Sequence, residues 1–488
     1  EGTPIGSAVK IAATDKEEYA FALGKMSNAE AAAIGCNMAF APVCDILYNW
    51  ENTEIASRAF GSEPERVARM SAAYLNGAHE NPGFACAAKH FPGNGQDFRD
   101  AHLSNNVNYF DPEKWDETYG MVYKTLIDNG LDAIMGGHIM LPEYAKAINP
   151  ELKEEDMMPA TLSPEIMTTL LRDRLGFNGM VVTDASHMVA MTDRMTRAEM
   201  LPASINAGCD MFLFFNDPDE DFETMLKAYQ NGVISEERMT EALMRILGLK
   251  AHMGLHKKSV EELVPAPETV GEVLGAEAHK AMHKAIADDC ITLVKYKDKD
   301  VLPVIPERYK RIMIVHLKAA ESGMGALMKL MGMGGGKPAE LLKEKLCEKG
   351  FDAFIYESPL DVMKKQIEAG EKPNLNLYFA GKNAIADFVK DMDLVITLCD
   401  VPSGRPSFGL SKGGGEIPWY VFELPVVVVG CGQPTMLADI PQARTYINTY
   451  DTKPATFDAL IHDLMTGEEA FKGIDPIDSF CGLFDARL

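Results

Sequence analysis

A chain of 488 residues with 47% hydrophobic content carries enough apolar surface for two or more ordinary cores. Its formal charge of −25 and pI near 4.9 exclude nucleic acid as the expected partner, because such a surface repels a phosphate backbone. No apolar run approaches the roughly 18 residues of a membrane span, so no membrane partner is expected either.

The nine cysteines are scattered and odd in number, and none forms a C-x-x-C pair. That argues against a zinc site and against a disulfide scaffold. Buried free thiols in a reducing compartment are the expectation. The chain opens on Glu1 rather than Met, so its start says nothing of a signal peptide, and the thiols make the cytoplasm the expectation over secretion.

In chain order, residues 1–35 run into a helix. Thr14 and Glu17 have capping-box spacing, and Ala, Leu and Met recur at helical intervals to Ile34. Residues 37–46 (NMAFAPVCDI) form an apolar run carrying Asp45 near its end, which suits a buried parallel strand. A polar loop with Asn49, Asn52 and Arg58 follows, then a helix over 63–77. The pattern repeats with strand 84–91, a Pro/Gly loop, helix 112–129, and strand 133–139 containing Gly136-Gly137-His138. Helix 163–175, strand 179–183 ending at Asp184, helix 198–207, strand 211–215 and two helices to about 253 complete it. Strands alternating with helices predict parallel βα units. A closed (β/α)8 barrel needs eight strands, whereas five are convincing here. The expectation is a TIM-type barrel over 1–255, with about three leading units outside this chain.

Residues 256–272 are charged and dotted with proline (Val264-Pro265-Ala266-Pro267), which reads as a linker, with a connecting helix over 274–288. Beyond it lie runs apolar at nearly every position: 291–294, 312–315, 394–398 and 426–429. Strands covered on both faces imply a second α/β sandwich domain over 289–488 with a parallel sheet. Gly332–Gly336 and Gly413–Gly415 lack the spacing of a nucleotide-binding loop, and no cofactor is expected.

The chemistry concentrates in residues 89–102, KHFPGNGQDFRDAH. Lys89 and His90 end an apolar strand, where a lysine must find a partner or bear a large desolvation cost. They could hydrogen-bond substrate hydroxyls. Asp100 and His102, two apart on a loop, could set a carboxylate against an imidazole and raise its proton affinity, as a proton donor and acceptor near pH 7 requires. A loop Asx-turn beside a surface histidine is the plainer alternative. Asp184, ending its strand, is placed either to attack or bind a substrate or to cap the next helix. His138 follows the same strand-end logic, with a satisfied core histidine as the alternative. Arg58 could clamp a polar substrate group or be an ordinary surface arginine. His90, His102, His138 and His187 lack H-E-x-x-H spacing, so no metal is expected.

Together these residues resemble glycoside hydrolase family 3, in its bacterial β-N-acetylglucosaminidase branch, whose pattern is K-H-F-P-G-H-G-D-T-x-x-D-S-H. Lys89, His90, Phe91, Pro92, Gly93, Gly95, Asp100 and His102 match it in register. The resemblance continues through residues 40–45, Arg58-Ala59-Phe60-Gly61, residues 175–179, Thr183-Asp184 with Met188, and residues 207–211. It implies that Asp184 is the nucleophile of a retaining, exo-acting β-N-acetylglucosaminidase, with His102 as acid/base assisted by Asp100. Lys89, His90, Arg58, His138 and Met188 would then bind the sugar, a carbohydrate being the implied partner. Asn94, Gln96 and Ala101 depart from the pattern. The family's early substrate-binding Asp precedes an E-G-G segment that Glu1-Gly2-Thr3 resembles. Within the family, a β-glucosidase drawing its acid from the second domain (Glu416) and a phosphorylase are alternatives. A non-catalytic sugar-binding module is the alternative from another class.

Overall fold

The computed structural model describes residues 2–52, 54–318, 337–357, 359–373, 385–401 and 423–480. The glycine-rich stretches and Glu416 lie outside them. The chain divides into two compact units, Glu1–Ile286 with Pro476–Leu483, and Ala287–Asp475 with Phe484–Leu488. No helix among the described residues is long and apolar enough to cross a membrane.

The first unit begins with a short helix, Ala8–Ala12, followed by α1, Glu17–Ala33. The expected Thr14–Glu17 capping box does not form. The Thr14 hydroxyl donates to the Ile11 carbonyl and accepts from the Lys16 amide, so it closes the preceding helix instead of opening α1. Five strands then build one sheet in chain order, with every neighbour parallel. They are β1 (Met38–Ala39), β2 (Ala85–Phe91), β3 (Ala133–Gly136), β4 (Met180–Ala185) and β5 (Met211–Leu213). Between them lie α2 (Pro64–Ala78), α3 (Met121–Asp128), the π-helical α4 (Glu165–Arg174) and α5 (Arg197–Ala207). α6 (Pro218–Gln230) and α7 (Glu236–His252) follow. Sequential parallel strands with helical crossovers are the (β/α)8-barrel pattern, and the five strands form an open arc of it.

The expected strand over 37–46 is shorter than the apolar run. Pro42 has no amide to donate, and beyond it the ladder with β2 shrinks to one isolated bridge, Val43 to Lys89, with Cys44 N bonded to the Lys89 carbonyl at 2.9 Å. At the start of β5, fully buried Asp210 takes Arg172 Nη2 at 2.8 Å, Arg238 Nη2 at 2.6 Å and the Val181 amide at 2.9 Å. It thereby locks α4, α7 and β4 to one carboxylate. Beside β5 lies an apolar groove of about 710 Å³, lined among others by Phe212, Phe214, Phe215 and Phe222. The expected linker is partly ordered into helices Val260–Leu263 and Pro267–Val273, and helix α8, Glu277–Cys290, leads into the second unit.

The second unit is built on six strands: β6 (Thr292–Tyr296), β7 (Arg311–Lys318), β8 (Asp352–Ile355), β9 (Leu394–Val401), β10 (Val426–Gly432) and β11 (Thr445–Asn448). Their order is β8-β7-β9-β10-β11-β6. The expected all-parallel sheet is therefore a mixed one, because β6 pairs antiparallel with β11 at the edge. A run of apolar residues reports burial but not strand direction, and β6 is only partly buried, as an edge strand is.

Glu30 ties the first unit together. It accepts from the Thr3 amide and hydroxyl, from His279 Nδ1 at 2.7 Å and from the Gly275 amide. Burial raises its carboxyl, but these donors outweigh that and hold it down at about 2. Its folded pKa lies below the unfolded value, so its stabilisation is present above about pH 4.5 and lost as pH falls towards 2. Glu30→Gln should cost about 1–3 kcal/mol at pH 7. In denaturant melts, the gap from wild type should close as pH falls through that window.

Candidate active site

The C-terminal ends of β2, β3 and β4 converge on Asp184. It is the penultimate residue of β4, with its Oδ2 3.9 Å from His90 Nε2 and its Oδ1 accepting from the Ala185 amide at 2.8 Å. Burial would raise its carboxyl, but His90, His138, the Ala185 amide and Lys89 hold it below the ordinary carboxylate range. An anionic carboxylate in a partly dry cleft is equipped to attack an electrophilic carbon.

His90 is oriented from behind. Asp45, fully buried, accepts from His90 Nδ1 at 2.7 Å, from the His90 amide at 3.1 Å and from the Asn94 amide at 2.8 Å. A carboxylate can only accept, so the Nδ1 proton is fixed and Nε2 is left facing Asp184. Lys89, half-buried beside it, has its ammonium pushed down by burial and by Arg58, against the pull of Asp184 and Asp45. Arg58 donates to the Glu54 carbonyl at 2.9 Å.

The loop between Lys89 and His102 is folded by glycines and amides. Gly93 and Gly95 have φ of +119° and +122°, and a Cβ there would strike the Tyr119 ring and the Ile46 carbonyl. Trp115 Nε1 caps the Pro92 carbonyl at 2.8 Å, and Tyr119 donates to the Asn94 carbonyl at 2.7 Å. Asn94 and Gln96, which depart from the family pattern, are built into this network. Asn94 Oδ1 accepts from Asn52 Nδ2 at 2.9 Å, and Gln96 bridges Asn108 and the Tyr109 amide at 2.9 Å each.

At the far end of the loop, His102 Nδ1 lies 2.7 Å from Asp100 Oδ1 and 3.6 Å from Glu54 Oε1. Glu54 and Asp100 together overcome the effect of burial and push the imidazole up to about 9. Nε2 is therefore the free, proton-bearing nitrogen. The Ala190 and Val189 amides donate to the Ala101 and His102 carbonyls at 3.2 and 3.3 Å, which docks this loop onto the turn that follows Asp184.

Two expected sugar ligands sit differently. His138 is fully buried. It accepts from the Thr161 hydroxyl at 2.7 Å and donates to the Ala185 carbonyl at 3.1 Å, while burial lowers its proton affinity. Both ring nitrogens are consumed in bracing the turn behind Asp184. Met188 is buried against Ala101, Ala185 and Ala190, beneath both loops. The structure thus gathers Lys89, His90 and Asp184 in one cluster and Asp100 with His102 in another. Sequence reasoning gave no role to Asp45 or Glu54. The loop 49–58 offered a signal, since Asn, Glu and Arg crowding after an apolar strand repeat the logic applied to residues 89–102.

Among the described residues, one cluster has metal-like spacing: Glu54, Asp100 and His102, with ligand atoms within 4.8 Å of one another. The imidazole nitrogen that points into it is already hydrogen-bonded to Asp100, so the geometry suits a proton there.

Residues 1–249 match the model of the glycosyl hydrolase family 3 N-terminal domain. A β-N-acetylglucosaminidase/β-glucosidase of Cellulomonas fimi is 37% identical, the match covering all of this chain and 82% of that protein. A β-hexosaminidase of Hydrogenovibrio crunogenus is 32% identical over half of this chain and 64% of its own length. Among solved structures, the β-glucoside phosphorylase BglX bound to 2FGlc superposes with a TM-score of 0.86 at 36% identity, covering 99% of this chain and 81% of that one. A family 3 β-N-acetylglucosaminidase of Paenibacillus sp. shares the fold at a TM-score of 0.74 and 22% identity, covering 96% of this chain and 82% of that one. The chain belongs to glycoside hydrolase family 3.

Proposed function

We propose that the chain acts as a retaining, exo-acting β-N-acetylglucosaminidase on terminal β-linked N-acetylhexosamine. The Asp100–His102 pair, joined at 2.7 Å on a loop bonded to the turn after Asp184, carries this reading. An Asp184 oxygen attacks the anomeric carbon as the bond to the leaving oxygen breaks, and the His102 Nε2 proton passes to that oxygen. The neutral imidazole then takes a proton from the incoming acceptor, whose oxygen displaces Asp184. Lys89, His90 and Arg58 hold the sugar hydroxyls. Most glycosidases use a carboxylic acid where this reading places an imidazole.

A second reading, phosphorolysis, has an observation of its own. An imidazole held near 9 regains its proton at neutral pH once the leaving group has departed, and is then a poor base for water. A phosphate dianion needs no base and is attracted to the cation. The name of the neighbour at 36% identity, β-glucoside phosphorylase, is consistent with this.

His102→Ala should lose about 10²–10⁴ in kcat/KM on glycosides with poor leaving groups, and far less on activated aryl glycosides, since only the former need the proton. Equal losses on both would remove His102 from the acid role. Asp184→Ala should abolish turnover of both classes. In wild type, kcat/KM on poor leaving groups should hold up to about pH 9 and fall above it, because the protonated imidazole is the active form. Aryl N-acetylglucosaminide and glucoside release, measured with and without phosphate, decides the rest. Preference for the glucoside would sink the hexosaminidase reading, and strong acceleration by phosphate, with sugar phosphate as product, would establish phosphorolysis.

Asp45→Asn should reduce kcat/KM by roughly 10–100-fold on every substrate without moving the upper pH limit. It removes the charged acceptor behind His90, a bond worth about 1.5–3 kcal/mol, and leaves His102 alone.

A further inference from the structure

We infer that Glu54 is a second carboxylate partner of the His102 imidazole, a positioning residue that sets its charge beside the Nδ1 already hydrogen-bonded to Asp100 and is itself aimed by Asn94. The inference rests on the reading of His102 as the acid/base.

The two oxygens of Glu54 do different things. Oε2 is pinned by donors from the His102 loop: Asn94 Nδ2 at 3.0 Å, the Ala101 amide at 3.3 Å and Asn106 Nδ2 at 3.4 Å. Oε1 is left to face His102 Nδ1 at 3.6 Å. The Glu54 side chain is only 11% exposed, and among the described residues its ion pair is with His102. Amides can orient a buried carboxylate, but they do not offset its charge, and a buried charge without a counter-ion is costly. The imidazolium supplies that counter-charge. Protonation of His102 is thus favoured from two sides, and its pKa of about 9 agrees.

Asn94 explains why Glu54 is free for this role. The family pattern has a histidine at that position. A second imidazole donating to Glu54 would compete for its charge, whereas a neutral amide fixes the carboxylate and leaves the charge for His102. Asn52 completes the brace, its Oδ1 accepting from the Glu54 and Ile55 amides at 3.1 Å each. The Glu54 carbonyl holds Arg58, so a single turn of loop sets the sugar-contacting arginine and the proton-handling histidine together.

Among the described residues, the titratable groups that act on His102 are Asp100 on its own loop, Glu54 from the loop after β1, and His138 from the end of β3, whose charge would oppose. The short helix Val189–Thr192 packed against the loop is followed by Asp193, which is paired with Arg194 and takes Asn105 Nδ2 at 2.7 Å.

The test is a histidine-labelled NMR titration of the full chain, with His102 assigned by His102→Gln. Glu54→Gln should drop the His102 pKa by about one unit or more, and Asp100→Asn should do likewise. The double variant should return it to about 6.5. The upper pH limit of kcat/KM should move down in parallel. Glu54→Asp, which keeps the charge, should sit between wild type and Glu54→Gln, and serves if the amide variant does not fold. A mere loop brace predicts lower stability with the His102 pKa unmoved in both Glu54 variants, and that result overturns the inference. A pKa that falls while His102→Ala shows no leaving-group dependence overturns the acid/base reading beneath it, leaving only a structural ion pair.

Discussion

The site depends on one buried carboxylate. Asp45 accepts three hydrogen bonds, two from His90 and one from the Asn94 amide, at distances of 2.7 to 3.1 Å. A carboxylate removed from water is stable only with such partners. Here the same bonds fix where β2 stops and where the following loop begins. Without that anchor the glycines at 93 and 95 would leave the start of the loop many conformations, which entropy favours. The ring of asparagines around the loop extends the constraint outward. Each amide both donates and accepts, so Asn52, Asn94, Asn106 and Asn108 can bridge backbone groups of opposite kind.

How much of this was legible in the sequence follows from which signals are local. The βα alternation was readable because apolar runs of about five residues bounded by turns report burial directly. The Asp100-x-His102 pair was readable because its partners lie two residues apart. Three features were not. The run over 37–46 looked like one strand, yet Pro42 interrupts its ladder and only Met38–Ala39 pairs regularly. Strand β6 looked like its neighbours, although direction in a sheet is set by connections rather than composition. Thr14 and Glu17 had the right spacing for a cap, but the preceding helix claimed the hydroxyl first.

The site residues without an assigned role fail by distance along the chain. Glu54 meets its partners 40 to 52 residues away, and Asp45 meets His90 across 45. No local pattern encodes such a meeting. His138 is the opposite case. It ends a strand beside the nucleophile candidate, as a ligand would, but both nitrogens are spent on Thr161 and Ala185. Position alone could not separate holding a sugar from holding the turn beneath it.

The electrostatics of the cleft then set the division of labour. Asp184 is kept anionic by the imidazoles and the lysine around it, while His102 is kept cationic by two carboxylates on its other side. In the usual arrangement of two carboxyl groups, the acid must be raised by burial or by repulsion from the nucleophile, and ionising the one penalises the other. An imidazole avoids that conflict, because its acid form carries the charge that the nucleophile welcomes. The compensation has a limit. Each carboxylate that keeps the imidazole protonated lowers the fraction of neutral imidazole available as base in the second half of the proposed reaction. In the proposed mechanism an acceptor that arrives already ionised escapes that limit, and on this ground phosphate would compete with water.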